Sequence, residues 1–293
     1  IFNHFKFLIM KNIFIFSLIF GTILNSSCDR IENPVVINNT TLDWSLYPDA
    51  DTTNYPWPVW TQNTNTNQFV LIEDYTGHTC TNCPAAAVEA KSIEDANGGK
   101  VIVMSVHASV SGGFQEPSLP ELPIDHRTVD GDAYAVAMNI VFNPAGTINR
   151  TIENSNYYAF ASDWNTRTNA ELTKSPYFNI QLAFNYFSQT NVLFLHTETE
   201  VLSDVVGDYN LISVLVRDTL IAPQEGIGVF YEEYDHHSVL TDNINGTWGT
   251  PIITDGTTSG TKIYNNYTYS VPTTDSSFAI SNLSVITVVT DRS

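Results

Sequence analysis

Three consecutive stretches limit what this chain can fold into. Phe69–Gly77 (FVLIEDYTG) reads as a buried strand, Cys83–Ala96 (CPAAAVEAKSIEDA) as a helix of strong helix formers stopped by Gly98-Gly99, and Lys100–Ala108 (KVIVMSVHA) as a second buried strand. Strand, helix, strand at this spacing is a βαβ unit, whose right-handed crossover lays the two strands parallel. The first half of the chain is therefore α/β, and Cys80 and Cys83 fall where a core strand hands over to a helix.

The pattern continues with a loop holding Gly112-Gly113, Pro117, Pro120 and Pro123. TVDGDAYAVAMNI then predicts a helix, Asn143-Pro144 a turn, and Gly146–Arg150 (GTINR) a short strand. A helix is predicted from about Asn156 to Lys174, with Tyr157, Phe160, Trp164 and Leu172 roughly on one face. Past Ser175-Pro176 the period changes to two. FNIQLAFNYF, NVLFLHTETEVL, YNLISVLVRDTL, EGIGVFYEEY, TKIYNNYTYSV and SFAISNLSVITVV alternate apolar with polar, and Asn, Asp, Gly and Thr separate them. Such a series predicts an antiparallel β-sandwich.

The N-terminus reads as an address. Met10-Lys11-Asn12 precedes an apolar run from Ile13 to Leu24, too short to span a bilayer, and Asn25-Ser26-Ser27-Cys28 follows. Small residues ending in Cys resemble a lipobox, so residues 1–27 are expected to be a signal peptide starting at Met10, with Cys28 lipidated. Three cysteines then divide into one anchor and one pair. Residues 28–66, polar and turn-rich, read as a tether leading into the folded part, with Trp57 and Trp60 expected to pack on the domain that follows. A net charge of −19, from 12 Lys+Arg against 31 Asp+Glu, repels phosphate backbones and argues against nucleic acid as a partner.

Two cysteines separated by two residues at a helix start can bridge with little strain. The first sits where backbone N–H groups and the helix dipole favour thiolate, which makes Cys80 the attacking sulfur. Cys83, one turn in and more buried, would resolve the mixed disulfide by attacking Cys80 and releasing the substrate thiol. Pro84 suits the first helical turn because no N–H is needed there. A stable staple is the bland alternative, although closing so small a loop stabilises little. A metal reading would add His78 and His107 to the two thiolates, a donor set that suits zinc or copper. No second CxxC or HxxxH supports it, and no metal or cofactor is expected. His236-His237 with Glu232, Glu233 and Asp235 is expected to be an exposed polar corner. No phosphate-binding glycine loop follows a strand and no G-x-S-x-G elbow occurs, which removes nucleotide and serine-hydrolase readings.

The order strand, CxxC, helix, strand, late proline is similar to that of thioredoxins. The resemblance implies that Asp74, six residues before Cys80, is the buried acid handling the resolving thiol's proton. It likewise implies that Pro144 is the cis-proline facing the disulfide and shaping the substrate groove. Thr79 stands where thioredoxins carry Trp, and Thr81-Asn82 replaces their Gly-Pro, so potential and substrate choice do not carry over. Over most of its length the chain, through EDYTGHTCTNCPAAA, NPAGTINR and YDHHSVLTDNINGTWG, resembles the outer-membrane-protein-28-related lipoproteins of Gram-negative bacteria. That likeness implies a thioredoxin-like α/β domain, residues 67–175, followed by an antiparallel β-sandwich domain, residues 176–293. One more strand pairing is expected after VITVVTDR, so the chain is expected to be truncated at its C-terminus.

The expected function is that of an outer-membrane lipoprotein acting as a thiol-disulfide oxidoreductase. Its partners would be envelope or surface proteins, met through mixed disulfides, and the membrane, met through the lipid on Cys28. The rival is a non-catalytic surface lipoprotein binding a protein or glycan through its β domain.

Overall fold

The computed structural model describes residues 36–40, 42–49, 51–118, 120–273 and 278–292. The expected signal peptide, its start at Met10 and the lipidation site Cys28 lie outside the described residues. A first strand, β1 (Val36–Thr40), precedes two single-turn 3-10 helices. β2 (Val70–Thr76) follows and is buried along its whole length, as a strand with both faces covered must be. α1 (Cys83–Ala96) carries proline in its first turn, and β3 (Val101–His107) returns parallel to β2, from Val70 beside Val101 to Thr76 beside His107. α2 (Val129–Ala137) is capped by Thr128, whose hydroxyl accepts from the Gly131 N–H. β4 (Ala145–Ile148) then pairs antiparallel with β2, β5 (Tyr158–Ala159) pairs antiparallel with β4, and α3 (Ala161–Leu172) completes this half.

Helices cover both faces of these strands. On one side Tyr134, Ala135 and Met138, from and just after α2, pack against Tyr75, Met104 and Val106. On the other, Ala86, Ala90 and Ile93 of α1 and Trp164 of α3 pack against Val70, Ile72, Val101 and Val103. Strand alternation therefore turns Asp74 toward the α1 layer and Glu73 toward the α2 layer. Facing α2, Glu73 meets Arg150 at 2.6 Å, accepts from the Thr147 hydroxyl at 2.5 Å, and lies in a buried pair whose guanidinium stacks 4.1 Å over Tyr134. The helix predicted from Asn156 begins five residues later because Tyr158 and Ala159 are taken up by pairing with β4. The single apolar face expected there is divided: Trp164 and Leu172 join the α1 side, Tyr157 the α2 side, and Phe160 is an exposed N-cap.

The second half adds β6 (Phe178–Phe187), β7 (Val192–Val201), β8 (Tyr209–Gly226), β9 (Val229–Asn243), β10 (Thr250–Ile253), β11 (Lys262–Ser270) and β12 (Leu283–Asp291). One sheet has the order β1-β11-β7-β6, with β1 parallel to β11. It packs through Leu195, Val201, Ile263 and Tyr267 on Leu211, Ile252 and Ile253 of the other sheet. That second sheet is not confined to this half. β12 lies on one edge of β8, β10 and then β9 pair along its other edge, and β9 meets β3 in parallel at Ser105–Val239. One eight-stranded sheet thus serves as the middle layer of the α/β half and as one wall of the sandwich, and it crosses the boundary expected at 175/176.

Two expectations are corrected. EGIGVFYEEY is not one strand: β8 runs on through Pro223, tolerated at a register shift between Ala222 and Gln224, and the turn lies at Ile227-Gly228, where Gly228 has φ +69°. Trp57 and Trp60 do not pack on the α/β part. Trp57 joins Trp44, Tyr55 and His196, and Trp60 approaches Tyr264, all against the four-stranded sheet. Tyr55 donates its hydroxyl to His196 Nε2 at 2.7 Å, while His196 Nδ1–H donates to Asn266 Oδ1 at 2.5 Å.

Candidate functional site

The loop Gly77–Asn82 leaves β2 pressed against Phe114. A Cβ on Gly77 would come within 2.6 Å of the Phe114 carbonyl oxygen, so glycine is required there by space. The Thr79 N–H donates to that carbonyl at 3.1 Å, Cys80 N–H to Gly77 O at 3.1 Å, and Cys83 N–H to Cys80 O at 3.0 Å. The turn holds the two sulfurs bonded at 2.07 Å, with Cα atoms 5.4 Å apart. Cys80 was expected to be the more open thiol, but both cysteines are 2% exposed. The cover comes from the far half of the chain. Gln224 of β8 donates its amide to Gly77 O at 3.2 Å and Cys80 O at 3.3 Å, and the Glu225 N–H donates to His78 O at 2.8 Å.

Beneath this cover Asp74 and Cys83 line one small cavity with Pro84, Gln224, Tyr234 and His236. Asp74 is buried, its Oδ1 takes no hydrogen bond, and burial pushes its pKa up to about 7. The Asn143-Pro144 bond is cis, as the thioredoxin likeness implied. Ala145 pairs with Tyr75, which sets Pro144 level with the end of β2. Gln115 fastens this corner by donating to Thr76 O at 2.7 Å and to Asn143 Oδ1 at 2.9 Å. Neither Pro144 nor Cys80 is among the residues lining the Asp74–Cys83 cavity.

Beside the cavity four buried imidazoles come together from four segments: His78 in the cysteine loop, His107 at the end of β3, His126 before α2 and His236 on β9. Ring centroids lie 4.9 Å apart for His107–His126, 5.3 Å for His126–His236, 5.4 Å for His107–His236 and 5.8 Å for His78–His126. His78 Nε2–H donates to Glu116 O at 2.9 Å. Both nitrogens of His107, Nδ1 of His126 and Nε2 of His236 make no hydrogen bond. Burial, then the neighbouring imidazoles, holds His107 well below the usual histidine value, His126 at about 3 and His236 at about 4. His107, His126 and His236 are therefore neutral at ordinary pH.

His78 and His107, considered with the cysteines as metal ligands, thus sit with two further histidines. Among the described residues no group of three or more His, Cys, Asp or Glu is disposed to hold a metal ion. The polar corner expected at His236-His237 is divided by strand alternation: His237 is exposed beside Asp235 at 3.5 Å, and His236 points into the cluster. His126 and Gln224 escaped the sequence reading because neither belongs to a motif; each is recruited by distant pairing.

The family model described as outer membrane protein Omp28 matches residues 131–293. No curated protein matches the chain. Among solved structures, HBP35 of Porphyromonas gingivalis is similar with a TM-score of 0.56 at 13% identity, over 78% of this chain and 70% of that one. Protein AGR_C_4864 of Agrobacterium tumefaciens gives a TM-score of 0.43 at 12% identity, over 71% of this chain and 80% of that one. Among the described residues no helix is long and apolar enough to cross a membrane.

Proposed function

The chain belongs to the Omp28 outer membrane protein family, and on that premise we propose that it is an envelope lipoprotein exchanging disulfides with protein thiols through Cys80 and Cys83. The observation that carries the reading is the shared cavity of Cys83 and Asp74, a carboxyl that burial poises at about pKa 7 directly behind the helix-start disulfide. The order β2-α1-β3-α2-β4-β5-α3, with β3 parallel and β4 antiparallel to β2, supports it as the arrangement of a thioredoxin-like domain.

In this reading a substrate thiolate attacks Cys80 Sγ, the Sγ–Sγ bond breaks, and Cys83 leaves as thiolate and takes the Asp74 proton. A second substrate thiolate then displaces Cys80, leaving an oxidised substrate and a reduced pair. In the reverse direction Asp74 accepts the Cys83 proton. Pro144 shapes the groove for the incoming chain. Cys28 carries the lipid, which puts the protein's partners among envelope proteins; the stretch expected as a tether is folded from Val36 on, with β1 paired to β11 and Leu42, Trp44 and Tyr55 packed on the four-stranded sheet.

One observation favours the second reading, a non-catalytic surface protein that binds a protein or glycan through its β part: both cysteines are covered. The test is the reduction potential of the pair in the purified full chain, by equilibration with glutathione and thiol alkylation. A value between about −270 and −120 mV supports exchange, and one below about −300 mV marks a structural staple. A Cys83→Ser chain that traps envelope proteins on Cys80 supports the first reading. Capture of none, with the same proteins still bound when both cysteines are Ser, supports the second.

A further inference from the structure

We infer that the ribbon formed by β8 and β9 beyond the body of the sheet is a docking surface for an extended, cationic segment of a partner polypeptide, which it holds beside the Cys80–Cys83 disulfide. The docking rests on the ribbon's own surface, and the cysteine that such a segment would bring rests on the exchange reading.

The surface begins as bare strand. β12 flanks β8 only as far as Arg217, Asn282 ties it once more at Thr219, and β9 meets β3 at the single pair Ser105–Val239. From there to the turn at Ile227-Gly228 the two strands pair with each other, and among the described residues neither has a strand on its other side. A bare edge offers main-chain donors and acceptors to an extended chain. The tip adds apolar contact, because Ile227, Val229, Phe230 and Tyr231 are all exposed. Its root is pinned to the cysteine loop by the Gln224 amide on Cys80 O at 3.3 Å and the Glu225 N–H on His78 O at 2.8 Å. A segment held on the tip therefore lies beside the disulfide it would exchange with.

Charge selects the occupant. No Lys or Arg stands between Arg217 and Lys262, and the ribbon carries Glu225, Glu232, Glu233 and Asp235. Residues opposite each other on paired strands share a face, so Glu225 stands beside Phe230 and the exposed Ile221 beside Asp235, with acid and apolar side chains interleaved. Among the described residues Glu225, Glu232 and Glu233 have no ion-pair partner, and Asp235 pairs with His237 at 3.5 Å. On the far side of the cysteine loop Phe114 is exposed as well, while the cation there, Arg127, is already paired with Asp125 at 2.7 Å and Glu116 at 2.5 Å. Such a surface fits Lys or Arg spaced among Phe and Leu, and the net charge of −19 steers a cationic chain toward it.

The test is fluorescence anisotropy of short peptides added to the purified, oxidised full chain. The peptides share evenly spaced Phe and Leu, have Ser in place of Cys, and differ only in carrying Lys, Gln or Glu between them. At low salt the Lys peptide should bind at least about tenfold more tightly than the Glu peptide, and the margin should shrink as salt is added. Glu232→Lys with Glu233→Lys, both at exposed positions, leaves the chain strongly acidic overall yet should remove most of that margin. Phe230→Ser should weaken the Lys peptide several-fold. Equal affinities for the three peptides, or a margin undiminished in the charge-reversed chain, overturns the docking surface. With Cys restored, a Lys peptide that binds but leaves the Cys80–Cys83 bond intact sinks the exchange reading and leaves the docking surface standing; opening of the disulfide at a rate indifferent to peptide charge does the reverse.

Discussion

Asp74→Asn replaces a carboxyl that burial holds at about pKa 7 with a neutral side chain of nearly the same shape. In the unfolded chain the same acid titrates near 3.8, so between these values the folded protein keeps a proton that the unfolded one has lost. A raised carboxyl contributes stability that is fully present below about pH 4, declines as pH rises through the window, and is gone above about 7. A difference of about three units, at about 1.36 kcal/mol each, amounts to about 4 kcal/mol of destabilisation once the pH is above both values. The Asn variant lacks this pH dependence. In urea unfolding with the disulfide intact, its stability relative to the native chain should therefore improve by about 2.5 kcal/mol between pH 5 and pH 8. Any constant offset from altered contacts drops out, because the slope is what is read. A gap that stays level across that range would refute the placement of a proton-holding acid behind Cys83.

Two packing predictions follow from the same strands. Gly146→Ala puts a Cβ against Trp164 Cε2, which must displace the buried ring and with it the packing of α3; about 1–3 kcal/mol should be lost, seen as a melting point lower by several degrees. Glu73→Gln leaves the Arg150 guanidinium buried without its counter-charge and should cost about 3–5 kcal/mol in chemical denaturation. Replacing Arg150 by Met in that background should restore most of the loss, and a double variant as unstable as the single one would contradict this account.

What could be read from the sequence was what neighbours in the chain decide. The helix opening at Cys83 matches the prediction end to end because Pro84 starts it, alanines sustain it and Asn97-Gly98-Gly99 stop it. β6 was equally plain, framed by Pro176 and the turn after Phe187. What failed was what distant partners decide. Tyr158-Ala159 looks helical until β4 is there to pair with it. Gly226 and Gly228 bracket a hairpin turn that reads from sequence as a strand interior. Within the candidate site, spacing places Cys80 and Cys83, and the thioredoxin resemblance implies Asp74. Gln224 and His126 become part of it only because β8, β9 and the loop before α2 converge on the cysteine loop from far along the chain.

The single bridge between Ser105 and Val239 has a consequence for how the molecule comes into being. A chain made from its N-terminus has β2, α1, β3 and both cysteines in hand long before β9 exists. Contacts so far apart in sequence form late and slowly. For that interval the cysteine pair stands uncovered, open to whatever oxidant or partner is at hand. A disulfide closed in that interval is shielded once the cover arrives, so exchange by the finished protein requires Gln224 and Glu225 to release the cysteine loop.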